Sequence, residues 1–253
     1  MLSFLSVTAL VNSPLAYFLI AFIGGVISVP IGGSFMFVIP AFLFLGLDGA
    51  ATILLARIFM VGSMASSSSY FFFLTKFDWR EVLPFVWGNI GGYVLAAIFA
   101  SSISVDTITV IVPWVLVIGG ILLLKKYSLP DDRYRAVALR LLPVAGAVLG
   151  FYAGLGGGGN GQIIVLLFAL AFAWEMNRAL VNTRLVELVG NVVVVGAYIF
   201  AGFALTGHEI PVLAGGALGG LIGAHITLKS RPEWLKYAFL ALAIAGAVKV
   251  TFF

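Results

Sequence analysis

Cysteine is absent from this 253-residue chain, histidine occurs twice, and only 9% of residues are charged. The first absence excludes disulfides, thiol catalysis and cysteine-ligated metal, while two isolated imidazoles are a poor start for a metal centre. No metal or other cofactor is therefore expected. The scarcity of charge excludes more, because a soluble domain carries roughly 25% charged residues. With 62% hydrophobic residues and a mean hydropathy of +1.16, the surface could not be solvated by water. A basic stripe is also missing, so the net charge of +4 does not point to nucleic acid. Met1 to Ser13 contain no Lys or Arg, so the charged start of a cleavable signal peptide is lacking and the first helix is expected to be retained.

What the chain does have is apolar runs, many of about 18 residues or more, the length that crosses a hydrocarbon core of about 30 Å as a helix. The lipid bilayer is the expected partner. The first region, 14–47, is broken at Val29-Pro30-Ile31-Gly32-Gly33. Its two pieces are each too short for a comfortable crossing, so a re-entrant or short helical hairpin is expected. Helices are expected to follow at 49–75, 82–101 and 106–124, and this first repeat spans 1–128. A polar cytoplasmic linker at 129–140 precedes a second repeat, 141–253, in which the pattern returns. Its hairpin at 141–173 is broken at Gly156 to Gly161, and helices follow at 178–203, 210–229 and 234–253.

Details match between the halves. Arg57 precedes Gly62-Ser63 as Arg184 precedes Gly190-Asn191, and the next helix carries small residues at four-residue spacing: Gly88, Gly92 and Ala96, then Gly215, Gly219 and Gly223. Such spacing permits close helix contact. A hairpin returns to its own side, so each half makes a net three crossings and the halves must be inverted. The expected fold is an all-α integral membrane protein, an inverted repeat of two halves, each a glycine-broken hairpin plus three transmembrane helices. Lys76, Arg80, Lys125 to Arg140, Arg178 and Lys229 to Lys236 then share one side, which the positive-inside rule makes cytoplasmic. Both termini are predicted outside.

Inverted repeats with broken helices are a recurring transporter design, with substrate held near the midplane. The second piece of each hairpin starts beside the break, so its free N–H groups and positive dipole end, near Ser34 or Asn160 to Gln162, favour an anion. Gly32, Gly33, Gly158, Gly159 and Gly161 would let the backbone approach a ligand, or merely permit a tight bend. Arg57 and Arg184 lie inside long apolar helices, where a central arginine costs at least about 2.5 to 3.5 kcal/mol on insertion scales. Either they bind an anionic substrate through paired donors, or they serve an internal ion pair or carbonyl clamp. Glu187, three residues beyond Arg184 on the same face, would form that ion pair or take up a proton during transport. Ser63, Asn182, Thr183 and Asn191 are candidate supporting polar groups.

Other signals have plainer readings. Gly154-x-Gly156-x-x-Gly159 matches a dinucleotide fingerprint but follows a membrane segment rather than a strand. Ser66 to Ser69 read as helix packing with hydroxyls bonded back to carbonyls. Asp48 and Asp106 read as helix caps. Trp79, Trp87, Trp174 and Trp234 read as interfacial anchors. An enzyme is not expected, since a buried acid and base pair is missing.

The two hairpins, Val29-Pro30-Ile31-Gly32-Gly33-Ser34 and Gly154 to Gly161, together with Leu54-Leu55-Ala56-Arg57-Ile58-Phe59-Met60 and Asn182-Thr183-Arg184-Leu185-Val186-Glu187-Leu188-Val189-Gly190-Asn191, resemble the sulfite exporter TauE/SafE family of membrane transporters over nearly the whole chain. The resemblance implies export of sulfite or a small organosulfonate across the cytoplasmic membrane, driven by an ion gradient. The residues themselves reach only a small anion, carried by alternating access. The alternatives are an anion channel, or a transporter, even an importer, of sulfate, thiosulfate or a carboxylate.

Overall fold

The computed structural model describes residues 13–31, 35–74, 77–99, 132–155 and 160–230, with isolated positions 237, 241 and 244. Among these residues the regular secondary structure is entirely α-helical, in eight helices. They are α1 (Pro14–Ile31), α2 (Phe35–Phe44), α3 (Gly49–Leu74), α4 (Trp79–Phe99), α5 (Asp132–Gly154), α6 (Asn160–Phe172), α7 (Met176–Phe200) and α8 (Glu209–Lys229). Four helices, α3, α4, α7 and α8, are long and apolar enough to cross a membrane. The expected helices 106–124 and 234–253 lie outside the described residues, apart from the three isolated positions.

Local chemistry sets the helix ends. After α2 the chain turns at Gly46, whose φ of +86° is open to glycine without a Cβ penalty. Asp48 then caps α3, its Oδ1 accepting the Ala51 N–H at 2.8 Å. The stretch 129–140, expected as a linker, is helical from Asp132 onward, so α5 starts nine residues before the apolar run it continues into. Apolar content alone missed this extension, since backbone hydrogen bonds propagate a helix through polar residues as readily as through apolar ones.

Packing pairs elements across the two halves of the sequence. Helix α1 lies along α8, and α5 lies along α4; α8 also packs on α3, as α4 packs on α7; α3 and α7 meet at the centre. Exchanging α1 to α4 for α5 to α8 maps these pairings onto themselves. The small-residue rows are where the backbones meet. A Cβ on Gly88 or Gly92 would run into the main chain of Pro143 or Ala147 on α5, and one on Gly215 or Gly219 into Phe18 or Phe22 on α1. Glycine at these positions lets backbones approach closely where the hydrophobic effect contributes little. Large apolar side chains fill the remaining space in one cluster around Phe85, Phe168 and Phe172 and another around Phe42, Phe59 and Tyr198.

Three of the four serines read as packing residues bond back along α3, Ser66 Oγ to Ser63 O at 3.1 Å, Ser67 Oγ to Ser63 O at 2.7 Å and Ser69 Oγ to Ala65 O at 2.7 Å, whereas the buried Ser68 Oγ has no partner among the described residues. Trp174 is a correction. It is 7% exposed rather than an interfacial anchor, while Trp79 and Trp87 are exposed. Ala173 adopts a left-handed φ of +51° and ends α6, and Trp174 packs on Phe172 with ring centroids 4.8 Å apart. The guanidinium of Arg178 covers the indole at 4.5 Å.

Candidate functional site

A helix that ends inside a membrane leaves its last four carbonyls without intrahelical partners, and lipid offers none. Helices α1 and α5 end at Ile31 and Gly154, immediately before the two glycine-rich segments of the sequence. Carbonyls at both ends are met by buried donors, in each case including an arginine from the other half of the sequence. Arg184 on α7 donates through one terminal nitrogen to Ser28 O and also to Val29 O, the latter at 3.2 Å, both at the end of α1. Arg57 on α3 donates to Ala153 O at the end of α5, and Tyr198 Oη donates to the next carbonyl, Gly154 O. A cation at a helix C-terminus also complements the negative end of the macrodipole. Each arginine thus holds the C-terminal end of a helix from the opposite half of the sequence.

The two clamps are joined through α7. The second terminal nitrogen of Arg57 donates to Asn191 Oδ1 at 3.1 Å, and Asn191 Nδ2 donates to the main-chain oxygen of Glu187 at 2.8 Å. The Glu187 carboxylate lies 3.7 Å from Arg184, so the ion pair expected from their spacing forms. Tyr93 presents its ring to Arg57 at 5.7 Å. Arg57, Arg184, Glu187 and Asn191 are all buried, at 1%, 4%, 3% and 1% exposure.

Asn160, Gly161 and Gln162 open α6, and Asn160 and Gln162 are buried. Gly161 faces Glu187 closely: a Cβ there would stand 2.6 Å from Oε1 and 2.7 Å from Oε2. The first turn of α6, Arg184 and Glu187 are therefore brought together. Ser63 reaches α1 instead, its hydroxyl 3.4 Å from that of Ser28. Thr183 is buried with no hydrogen bond to Oγ1 among the described residues. Asn182 belongs to a different cluster: its Oδ1 accepts the Asp78 N–H at 2.9 Å, and Arg178 makes a two-pronged ion pair with Asp78 at 2.9 and 2.7 Å. Gly32, Gly33, Ser34, Gly158 and Gly159 lie outside the described residues.

Sequence reasoning missed Ser28, Tyr93, Ala153 and Tyr198. A lone serine in the apolar run of α1 was a usable signal for Ser28. Ala153 acts through its main chain, which leaves no mark in a sequence.

Broken helices, membrane-length spans and a buried charged centre between two halves define a polytopic α-helical membrane protein of transporter type. The profile of the sulfite exporter TauE/SafE family matches residues 17–250, and the chain belongs to that family of membrane transporters. It is similar to a probable membrane transporter protein, ORF9, of a Sinorhizobium species, 26% identical over 92% of this chain and 90% of the relative. A probable membrane transporter protein of Haemophilus influenzae is 24% identical over 93% of each chain. The probable membrane transporter protein YfcA of Escherichia coli K12 is 22% identical over 93% of this chain and 88% of the relative. No solved structure matches the chain.

Proposed function

We propose that this protein is a secondary transporter that exports sulfite or a small organosulfonate across the cytoplasmic membrane, by alternating access around a site between the two hairpin breaks. The observation that carries this reading is the reciprocal clamp, which holds a buried guanidinium beside each break. Positive charge and the N-terminal end of the α6 dipole then converge from different helices, an arrangement suited to an oxyanion. Arg57 and Arg184 contribute mainly by fixing the breaks and setting the local field, with Arg184 also within reach of the ligand.

The exchanged pairings support an inverted repeat. So does the Asp78–Arg178 contact, because Asp78 follows the end of α3 and Arg178 lies at the start of α7, so the two helices run in opposite directions. Alternating access then rocks one half against the other across the α3 and α7 contact. The positively charged ends face the cytoplasm, and both termini lie outside; an active cytoplasm-only reporter fused to Phe253 would overturn that orientation.

The direct test is flux in reconstituted vesicles. Saturable movement of sulfite or a short sulfonate is expected. Its absence, alongside intact flux of an uncharged solute, would sink the anion reading, and ion currents far above carrier rates would favour a channel.

A further inference from the structure

We propose that the Glu187 carboxylate is the resident anion of the α6 N-terminus, occupying in the substrate-free protein the place that a substrate oxyanion takes during transport. This rests on the anion-transport reading above and adds a role for Glu187 at that same site.

The first turn of α6 carries N–H groups with no intrahelical partner and the positive end of the helix dipole. The carboxylate lies directly against that turn, since a methyl built on Gly161 would meet Oε1, Oε2 and Cδ of Glu187 at 2.6, 2.7 and 2.8 Å. Only a residue without a Cβ admits a carboxylate so close. On its other side Oε2 is 3.7 Å from the Arg184 guanidinium, near enough to balance charge but longer than a hydrogen bond. Donor capacity remains in the site: Arg184 Nε has no hydrogen-bond partner among the described residues, although Arg184 is 4% exposed.

A buried donor without a partner is costly, and native structures rarely keep one without a reason. Three oxygens on one sulfur spread wider than the two of a carboxylate, so a sulfite or sulfonate can engage Arg184 and the α6 turn together. Glu187 and the substrate therefore compete for one positive site. The Arg184 and Glu187 charges cancel while the site is empty, and displacement of a tethered carboxylate weakens every anion that enters, which sets affinity and favours release.

The test is titration of the purified full-length protein with sodium sulfite and with methanesulfonate, by calorimetry or thermal shift, in three forms. Glu187→Gln keeps the shape without the charge and is expected to bind at least tenfold tighter than the unaltered protein. Glu187→Asp withdraws the carboxylate by one methylene and is expected to fall between the two, and it retains the pair with Arg184 should the Gln variant fail to fold. Equal or weaker binding by the variants, beside measurable binding by the unaltered protein, overturns the role of Glu187 and leaves the anion reading standing. No binding by any of three monodisperse, cooperatively melting proteins overturns both.

Discussion

Arg57 and Arg184 occupy corresponding positions in the two halves and perform the same structural task on different neighbours. Arg57 meets a carbonyl, the Asn191 side-chain oxygen and the ring of Tyr93; Arg184 meets two carbonyls and the carboxylate of Glu187. Tyr198 assists Arg57 at the end of α5, where it takes the adjacent carbonyl. The clamp is thus shared, while the acidic group stands on the Arg184 side, next to α6. Duplicated scaffolding holds two breaks, and the chemistry that distinguishes the halves has collected at the second one.

Removing each group in turn should break this comparison unevenly. Arg184→Ala should have the largest effect, since it strands two carbonyls and leaves Glu187 buried without its ion-pair partner; loss of one partner of a buried pair costs about 3 to 5 kcal/mol. Little folded protein is expected by size-exclusion fluorescence, and adding Glu187→Gln should recover part of it. Additive losses in the double variant would show that the two side chains are not coupled.

Arg57→Ala should follow, at about 2 to 4 kcal/mol for leaving buried acceptors on α5 and α7 without a donor. A Lys at either position should rescue only partly, because one ammonium cannot reproduce the planar fork. If Arg57→Ala proves the more damaging, the carboxylate is not what separates the two halves.

Tyr198→Phe deletes a single donor to Gly154 O and should cost about 1 to 2 kcal/mol, read as a lowered melting midpoint in detergent. Smallest of all, Arg178→Ala should cost about 1 kcal/mol or less, because the Arg178 side chain is 49% exposed and Asp78 half-buried. A larger loss there would mean that the Asp78 and Asn182 network holds the halves together more firmly than the buried clamps do.

Much of this architecture was legible in the residue order, for reasons that particular elements make clear. A run of four glycines cannot be mistaken for membrane helix, an aspartate before an apolar run caps it, and glycines four apart form a row that only a close backbone can fill. Glu187 three residues after Arg184 had to lie on the same face. The helix start at Asp132 was hidden because backbone hydrogen bonding, not apolar content, continues a helix. Asn182 sits two residues from Arg184 yet turns to Asp78, because two positions in a helix differ by about 200° in direction. Trp174 looked like a boundary residue until the left-handed Ala173 turned it into the core.

By itself the sequence determined an all-helical membrane protein and its family membership, since both follow from local composition and spacing. The first break, expected from Val29 to Gly33, starts later than expected, because α1 stays helical through Pro30 to Ile31. Tertiary structure decided which carbonyls the two arginines hold, and that each holds the other half's. Carbonyl acceptors are the same on every residue, so no sequence marks one as a partner. Only the exchanged packing of α1 on α8 and α5 on α4 carries those helix ends to the opposite guanidinium.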